Sequence, residues 1–292
     1  MKEGCCFIND EHASTPKIDR GTFFMADDSK PKKIQPVSGL QRAVFLLISL
    51  TGGVLIWALL TRLLGLPAFV LPGPGLVWQR FIQSLADGQL LRHSLATLLE
   101  VVAGLFLGGI TATVIGYLVA KSALVEKLIS PYLVASQSIP VVAIAPLLVI
   151  WFGSGIFSKV LICSLTVFFP ILINTIVGLH EVPQDLHDLM RSLKASPFQT
   201  LVKLEIPAAL PIFLGGLRVG ATLSVIGAVV GELVGSDRGL GFLINIGRGQ
   251  YDTALVFVAV ITLVVLAIAL YGCVLWVEKK VLSWQSWRQD SF

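Results

Sequence analysis

The chain has 292 residues, of which 55% are hydrophobic and only 14% charged, with a formal net charge of +4 and a mean hydropathy of +0.83. A soluble domain carries about 25% charged residues, so this composition excludes a soluble globular enzyme and indicates one integral membrane bundle. The positive balance does not indicate nucleic acid, because no basic cluster is interleaved with aromatic residues.

Residues 1–40 are polar and mixed in charge and read as a disordered cytoplasmic tail, with Met25 as an alternative start. No signal peptide is expected, since the first apolar run begins near Ala43. Cys5 and Cys6 lie in this tail and read as reduced thiols. Cys163 and Cys273 lie in apolar runs, so the four cysteines suggest neither a disulfide framework nor a metal site.

Six apolar segments follow, at about 43–64, 99–120, 128–152, 159–179, 207–232 and 253–277. Each is close to the roughly 20 residues that span a bilayer core. They predict an all-α integral membrane fold, a six-helix transmembrane bundle over 41–280, with a short cytoplasmic tail at 281–292. Gly104, Gly108, Gly109 and Gly116 in the second segment fit close helix packing, and also the ordinary glycine content of membrane helices. Between the first two segments, Pro72 and Pro74 break the chain. Val77, Trp78, Phe81, Ile82 and Leu85 then fall on one side of a helix. That helix reads either as an amphipathic element on the membrane surface or as an extramembrane helix packed on the bundle.

In the third segment, Gln137 and Ser138 precede Pro140 and Pro146. Each proline removes a helix hydrogen bond, so this span is expected to kink. Such broken stretches line pathways in transporters, although a purely structural kink fits the residues equally well. Between the fourth and fifth segments lies the longest polar interruption, His180 to Pro211. Leu186, Leu189, Met190 and Leu193 give one apolar stripe on a helix that Pro183 can begin. Ser196, Pro197 and Gln199 form a capping-box pattern that starts a second short helix, with Phe198, Leu201 and Val202 as its apolar face. Two short amphipathic helices joined by a tight turn suit docking into a groove on a soluble partner.

The fifth segment carries Arg218 and Glu232. Counted from Pro207 at about 1.5 Å per residue, Arg218 lies roughly 16 Å along the helix and Glu232 roughly 38 Å. Glu232 is therefore expected near the outer end, with a role in the pathway as one reading, and Arg218 as a structural anchor. Glu100, at the start of the second segment, reads as interfacial. The glycine-rich stretch 235–250 is expected outside. With the 180–206 loop placed inside, fifteen Lys and Arg fall on the inner side and six on the outer, so both termini are expected in the cytoplasm.

The loop resembles the cytoplasmic EAA loop of ABC importer permeases. The family pattern is Glu-Ala-Ala, three residues, Gly, nine residues, Ile, any residue, Leu-Pro. The same spacing runs through Asp188-Leu189-Met190, Lys194, Leu204 and Ile206-Pro207. Asp stands for Glu, Leu and Met for the two Ala, and Lys194 for the Gly whose left-handed conformation turns the chain. Ala195-Ser196, Gly216-Leu217-Arg218, Gly231-Glu232 and Gly239-Leu240-Gly241 resemble the nitrate/sulfonate/taurine branch. Gln137-Ser138-Ile139-Pro140, Ala145-Pro146-Leu147 and Phe168-Phe169-Pro170 are most similar to permeases for pyrimidine precursors of thiamine.

The resemblance implies a type I ABC importer permease of the MetI-like kind, multi-pass in the bacterial cytoplasmic (inner) membrane. It implies separate ABC ATPase subunits, an extracytoplasmic substrate-binding protein and a second permease copy, most simply a homodimer, all in membrane lipid. It also implies coupling residues Asp185, Asp188, Leu189, Met190, Lys194, Ala195, Ser196, Pro197 and Pro207, and a substrate path near Gln137, Ser138, Pro140, Pro146 and Glu232. The chain contains no GxxxxGK[ST], so ATP and Mg are expected on the partner ATPase and no cofactor on this chain. The expected cargo is a small organic solute of the nitrate, sulfonate, taurine or pyrimidine-precursor class. An ion-coupled secondary transporter, with Glu100 and Glu232 as relay acids, is the alternative. An intramembrane zinc enzyme is disfavoured: His180-Glu181-Val182-Pro183-Gln184 has Gln where HExxH needs its second His.

Overall fold

A computed structural model of the chain describes residues 39–65 and 67–283. Apart from their inner edges, the expected tails 1–40 and 281–292, with Cys5 and Cys6, lie outside the described residues. Two units are distinguished, 1–51 and 52–292. The first is described only as the opening turns of helix α1 (Gly39–Leu63), where Phe45, Leu47, Ile48 and Leu50 are exposed. All further contacts concern the second unit.

After α1 come α2 (Pro74–Ala86), α3 (Gln89–Ala120), α4 (Ala123–Gln137), α5 (Val141–Phe152) and α6 (Ile156–His180). Then follow α7 (Gln184–Ser192), α8 (Pro197–Thr200), α9 (Ile206–Val234), α10 (Leu240–Gly249) and α11 (Thr253–Val281). Among the described residues there is no strand. Four helices are long and apolar enough to cross a membrane: α3, α6, the continuous Pro197–Val234 helix and α11. The α4–α5 pair is a fifth if taken as one span. The described apolar stretch of α1, Leu47–Leu63, is shorter than a span. Six apolar runs thus become four long helices, one broken pair and α1.

The core is α6 packed along both α3 and α9. Here burial does not follow hydrophobicity. Leu99, Phe106, Ile110 and Leu118 of α3 are exposed, whereas Thr97, Glu100, Gly104 and Gly108 of the same helix are buried. A helix that is apolar all round offers its small and polar residues to its protein neighbours and leaves its large aliphatic ones to lipid. Gly108 shows why: a Cβ there would stand 2.5 Å from the backbone oxygen of Ser164 on α6. Gly104, Gly108 and Gly116 therefore serve packing, whereas a Cβ at Gly109 would meet only ordinary contact. One apolar cluster joins Val101, Val225, Leu240, Leu243 and Val258, and a second joins Ala112, Val167, Ile171 and Leu172.

Several boundaries differ from the sequence expectation. Helix α3 begins at Gln89, ten residues before the apolar run, because its polar first turns pack against the chain that leads into α10. The third run is not a kinked span but two helices at 93°, broken at Ser138-Ile139-Pro140. Pro140 caps α5, whereas Pro146 and Pro131 lie inside helices. The second short loop helix does not stop before Pro207: α8 runs through a π-helical turn, Leu201–Glu205, directly into α9. The glycine-rich stretch folds into α10. Helix α2 buries Val77 and packs Phe81 on the core while Trp78, Ile82 and Leu85 stay exposed. Arg80 binds Asp252 at 2.7 Å and ties α2 to the start of α11.

Candidate coupling loop and buried polar cluster

Helix α7 carries its own stop. The Ala195 N–H donates to the Met190 carbonyl (3.0 Å) and the Lys194 N–H to that of Arg191 (2.9 Å), the two bonds of a Schellman turn. That turn needs a left-handed residue, and Lys194 supplies it at φ +52°. Ser196 and Gln199 then form both bonds of the capping box, at 3.3 and 2.9 Å. Asp185 sits in the first turn of α7, where a carboxylate complements the helix dipole. Asp188 faces Arg191 at 3.4 Å, an exposed pair worth little in stability. Leu189 is 53% exposed and Phe198 72%; Leu186, Leu193 and Val202 are exposed with them, and Met190 is half-buried. The loop is thus a self-capped pair of helices displaying apolar side chains.

The base of the loop is tied to the core. Glu205, at the end of the π-turn, is 3% exposed and accepts from Lys121 Nζ at 2.5 Å. Nearby, His180 Nε2 lies 3.3 Å from Glu126 and holds the end of α6 to α4. Pro207 is the second residue of α9, and because α8 continues through the π-turn into α9 its missing N–H falls within the helix, just past that turn.

The opposite end of α3 holds a buried polar cluster. Glu232 of α9 is 0% exposed. Its Oε1 accepts from Thr97 Oγ1 at 2.6 Å and its Oε2 from the Gly241 N–H at 2.5 Å. The Leu240 N–H donates to Thr97 Oγ1 (2.8 Å) and the Gly239 N–H to His93 Nδ1 (3.0 Å). Three successive N–H groups that open α10 are therefore received by side chains of α3 and α9, the Glu232 carboxyl among them. Gly239 has φ +107°, and a Cβ there would collide with the Glu232 carboxylate. Lys159 of α6, 2% exposed at its first-turn position, donates to Ser236 Oγ at 2.5 Å and lies 3.5 Å from Glu100 Oε1. Glu100, expected at an interface, is 1% exposed, and Lys159, expected outside, is buried beside it.

The α4–α5 break opens on a cavity of about 370 Å3 lined by Ser136, Gln137, Ile139, Thr166, Phe169 and Leu223, among others. Of the residues expected on a path, Gln137 lines it. Ser138, Pro140 and Pro146 are exposed and do not line it, while Glu232 lies in the polar cluster. Arg218 pairs with Glu278 of α11 and stands 5.8 Å from the Tyr271 ring centre, a partner the sequence reading did not name.

Residues 90–283 match the family model described as "Binding-protein-dependent transport system inner membrane component". The chain belongs to that family. It is the permease subunit of an ABC importer, a multi-pass inner-membrane protein that is not itself an enzyme, the ATPase being a separate subunit. Membership sets aside the secondary-transporter alternative. The riboflavin transport system permease protein RibX of Chloroflexus aurantiacus is 43% identical over 251 residues, 86% of this chain and 91% of that one. The formylaminopyrimidine transport permease protein ThiX of Halalkalibacterium halodurans is 36% identical over 79% of this chain and 91% of its own. The taurine transport system permease protein TauC of Escherichia coli is 32% identical over 71% and 78%. Among solved structures, the inward-facing MetNI methionine ABC transporter matches with a TM-score of 0.56 at 22% identity, over 66% of this chain and 95% of the other. The likeness gives the MetI-like fold.

In this permease the expected coupling residues from Asp185 to Pro197 lie on α7, its closing turn and the start of α8, whereas Pro207 lies beyond the π-turn in α9. The expected path residues are not brought together: Gln137 and Glu232 belong to different sites. Sequence reasoning missed the Lys121–Glu205 bond and the assembly of His93, Thr97, Glu100, Lys159 and Glu232. One signal was available for the second. His93, Thr97, Glu100, Gly104 and Gly108 fall at spacings of four, three, four and four, which is a single stripe of polar and small residues on α3.

Proposed function

We propose that residues 183–205 dock into a groove on the separate ATPase subunit and carry its closure to the spans. The observation that carries this reading is the α7–α8 pair, with backbone ends capped from within and Leu189, Leu193, Phe198 and Val202 exposed together. In this reading the loop end and both termini face the cytoplasm, and a substrate-binding protein docks at the end that bears α10. Two copies of the permease enclose one path between their α4–α5 breaks. The cargo is a small uncharged heteroaromatic of the vitamin-precursor kind. Two supports bear on that. The cavity at the break is lined by Gln137, Thr166 and Phe169 with no charged side chain. Relatives named for riboflavin and formylaminopyrimidine transport are more similar than the one named for taurine.

The test is copurification of the tagged permease with its ATPase, wild type against Leu189→Asp/Met190→Asp. The ATPase is expected to follow the wild type and to be lost from the variant while the variant remains membrane-inserted. An unchanged yield of ATPase with the variant refutes the docking role. Uptake into cells expressing the complete importer, with labelled riboflavin, a pyrimidine precursor and taurine compared, decides the cargo class.

A further inference from the structure

If the loop receives a load from the ATPase, the fold must pass it on, and one place along the route is weak. The Pro197–Val234 helix is continuous except at Leu201–Glu205, where the backbone widens to a π-turn and the Ile206 N–H reaches back to the Leu201 carbonyl. Such turns hold one residue more than the α-helical line and are where a helix bends most readily. A push on α8 would be absorbed there unless the turn were braced.

The brace is on the page. Glu205 closes the π-turn and is almost fully buried, and its Oε1 accepts from Lys121 Nζ at 2.5 Å. Among the described residues no donor reaches its buried Oε2, so none of them substitutes for the lysine. Lys121 caps the C-terminus of α3, where a cation complements the helix dipole, and its Nζ lies 5.2 Å from the Tyr117 ring centre. Burial alone would lower the Lys121 pKa, but the Glu205 carboxylate outweighs it and holds the pKa above the ordinary lysine value. The ammonium therefore stays charged throughout the physiological range. From Lys121 the contact continues rigidly, because α3 is packed backbone-close on α6 at Gly108 and bonded to α9 through Ser224 Oγ to the Val101 carbonyl at 2.9 Å.

We propose that the Lys121–Glu205 pair is a positioning link that makes α3 and α9 move together with α8 when the ATPase closes. This rests on the reading of 183–205 as the ATPase-docking loop. Loss of the pair is then expected to uncouple ATP binding from the path without releasing the ATPase.

The experiment uses the full-length permease purified with its ATPase in lipid nanodiscs, carrying Ile139→Cys at the α4–α5 break as reporter. Maleimide labelling of residue 139 is read by peptide mass spectrometry, with and without ATP and vanadate, which separates it from Cys5, Cys6, Cys163 and Cys273. In the parent, ATP–vanadate changes the labelling rate. Lys121→Met and Glu205→Gln are expected to keep the ATPase bound while that change shrinks by at least about fivefold. Lys121→Arg, which preserves the charge, is expected to retain it. A Lys121→Met protein whose labelling responds like the parent overturns the proposal. So does one that loses its ATPase, since the pair would then belong to docking, and so does a Lys121→Arg protein as uncoupled as Lys121→Met. Failure of the docking reading is separate: it shows as a parent from which no ATPase copurifies.

Discussion

The two ends of α3 solve the same problem in opposite ways. Near Lys121, the loop satisfies its backbone within itself. The Schellman turn and the capping box join residues three to five apart, and the surface is left apolar and exposed. Near His93, the first N–H groups of α10 are satisfied by side chains 143 and 146 residues away, and charged groups are buried. An element whose bonds are local can be displaced as a unit and leave no orphaned donor behind. An element whose bonds are borrowed from other helices cannot move without breaking them, so it is suited to stay where it is. The difference separates an element that can be displaced as a unit from one that is held in place.

The largest effect expected from that contrast is at Glu232. Replacing it by Ala orphans the Gly241 N–H and removes one acceptor of Thr97, in fully buried surroundings shared with Glu100 and Lys159. Removing one member of a buried, bonded charge group costs about 3–5 kcal/mol. Thermal unfolding of the permease in nanodiscs should show it as a marked drop in midpoint, smaller for Glu232→Gln, which keeps one acceptor oxygen. A Glu232→Ala protein that melts like the wild type would break the comparison. In the same measurement Leu189→Asp/Met190→Asp should move stability far less than Glu232→Ala, because Leu189 is exposed and Met190 half-buried, although on the docking reading it is expected to release the ATPase. A large drop there would mean that the loop is braced on the body as firmly as α10 is.

The loop was legible in the sequence because everything that shapes it is local. The stripe from Leu186 to Leu193 and the Ser196-Pro197 start with Gln199 three residues past the Ser follow from short spacings, while the left-handed place at Lys194 comes from the family pattern that the loop resembles. The end of α8 was not legible, because a π-turn that continues a helix past Pro207 leaves no periodic mark. The opposite end was misread for a physical reason. Hydropathy treats a charge as a sign of water, so the sequence sets Glu100 at an interface; Glu232 does lie near the end of α9, as expected, but it is buried there with Glu100 and Lys159. Their burial is made possible by one another and by the α10 amides, contacts that span as many as 146 residues of chain. The clearest trace was the polar and small stripe from His93 to Gly108, which the glycine spacing revealed only in part.

The smallest effect is also the most local, and it tests the contrast from the other side. Lys194 holds φ +52°, a conformation that costs a residue bearing a Cβ about 1 kcal/mol or more. Glycine adopts it freely but gives up more freedom on folding, so the gain from Lys194→Gly is at most about 1 kcal/mol. Because the turn is a self-contained unit, that gain should appear only there. Amide exchange at residues 194 and 195, whose N–H groups make the two Schellman bonds, is expected to slow by up to about fivefold while the global melting midpoint stays put. Exchange that quickens instead would mean that the exposed Lys194 side chain contributes a contact worth more than its backbone costs, and the loop would then be less self-contained than its hydrogen bonds make it.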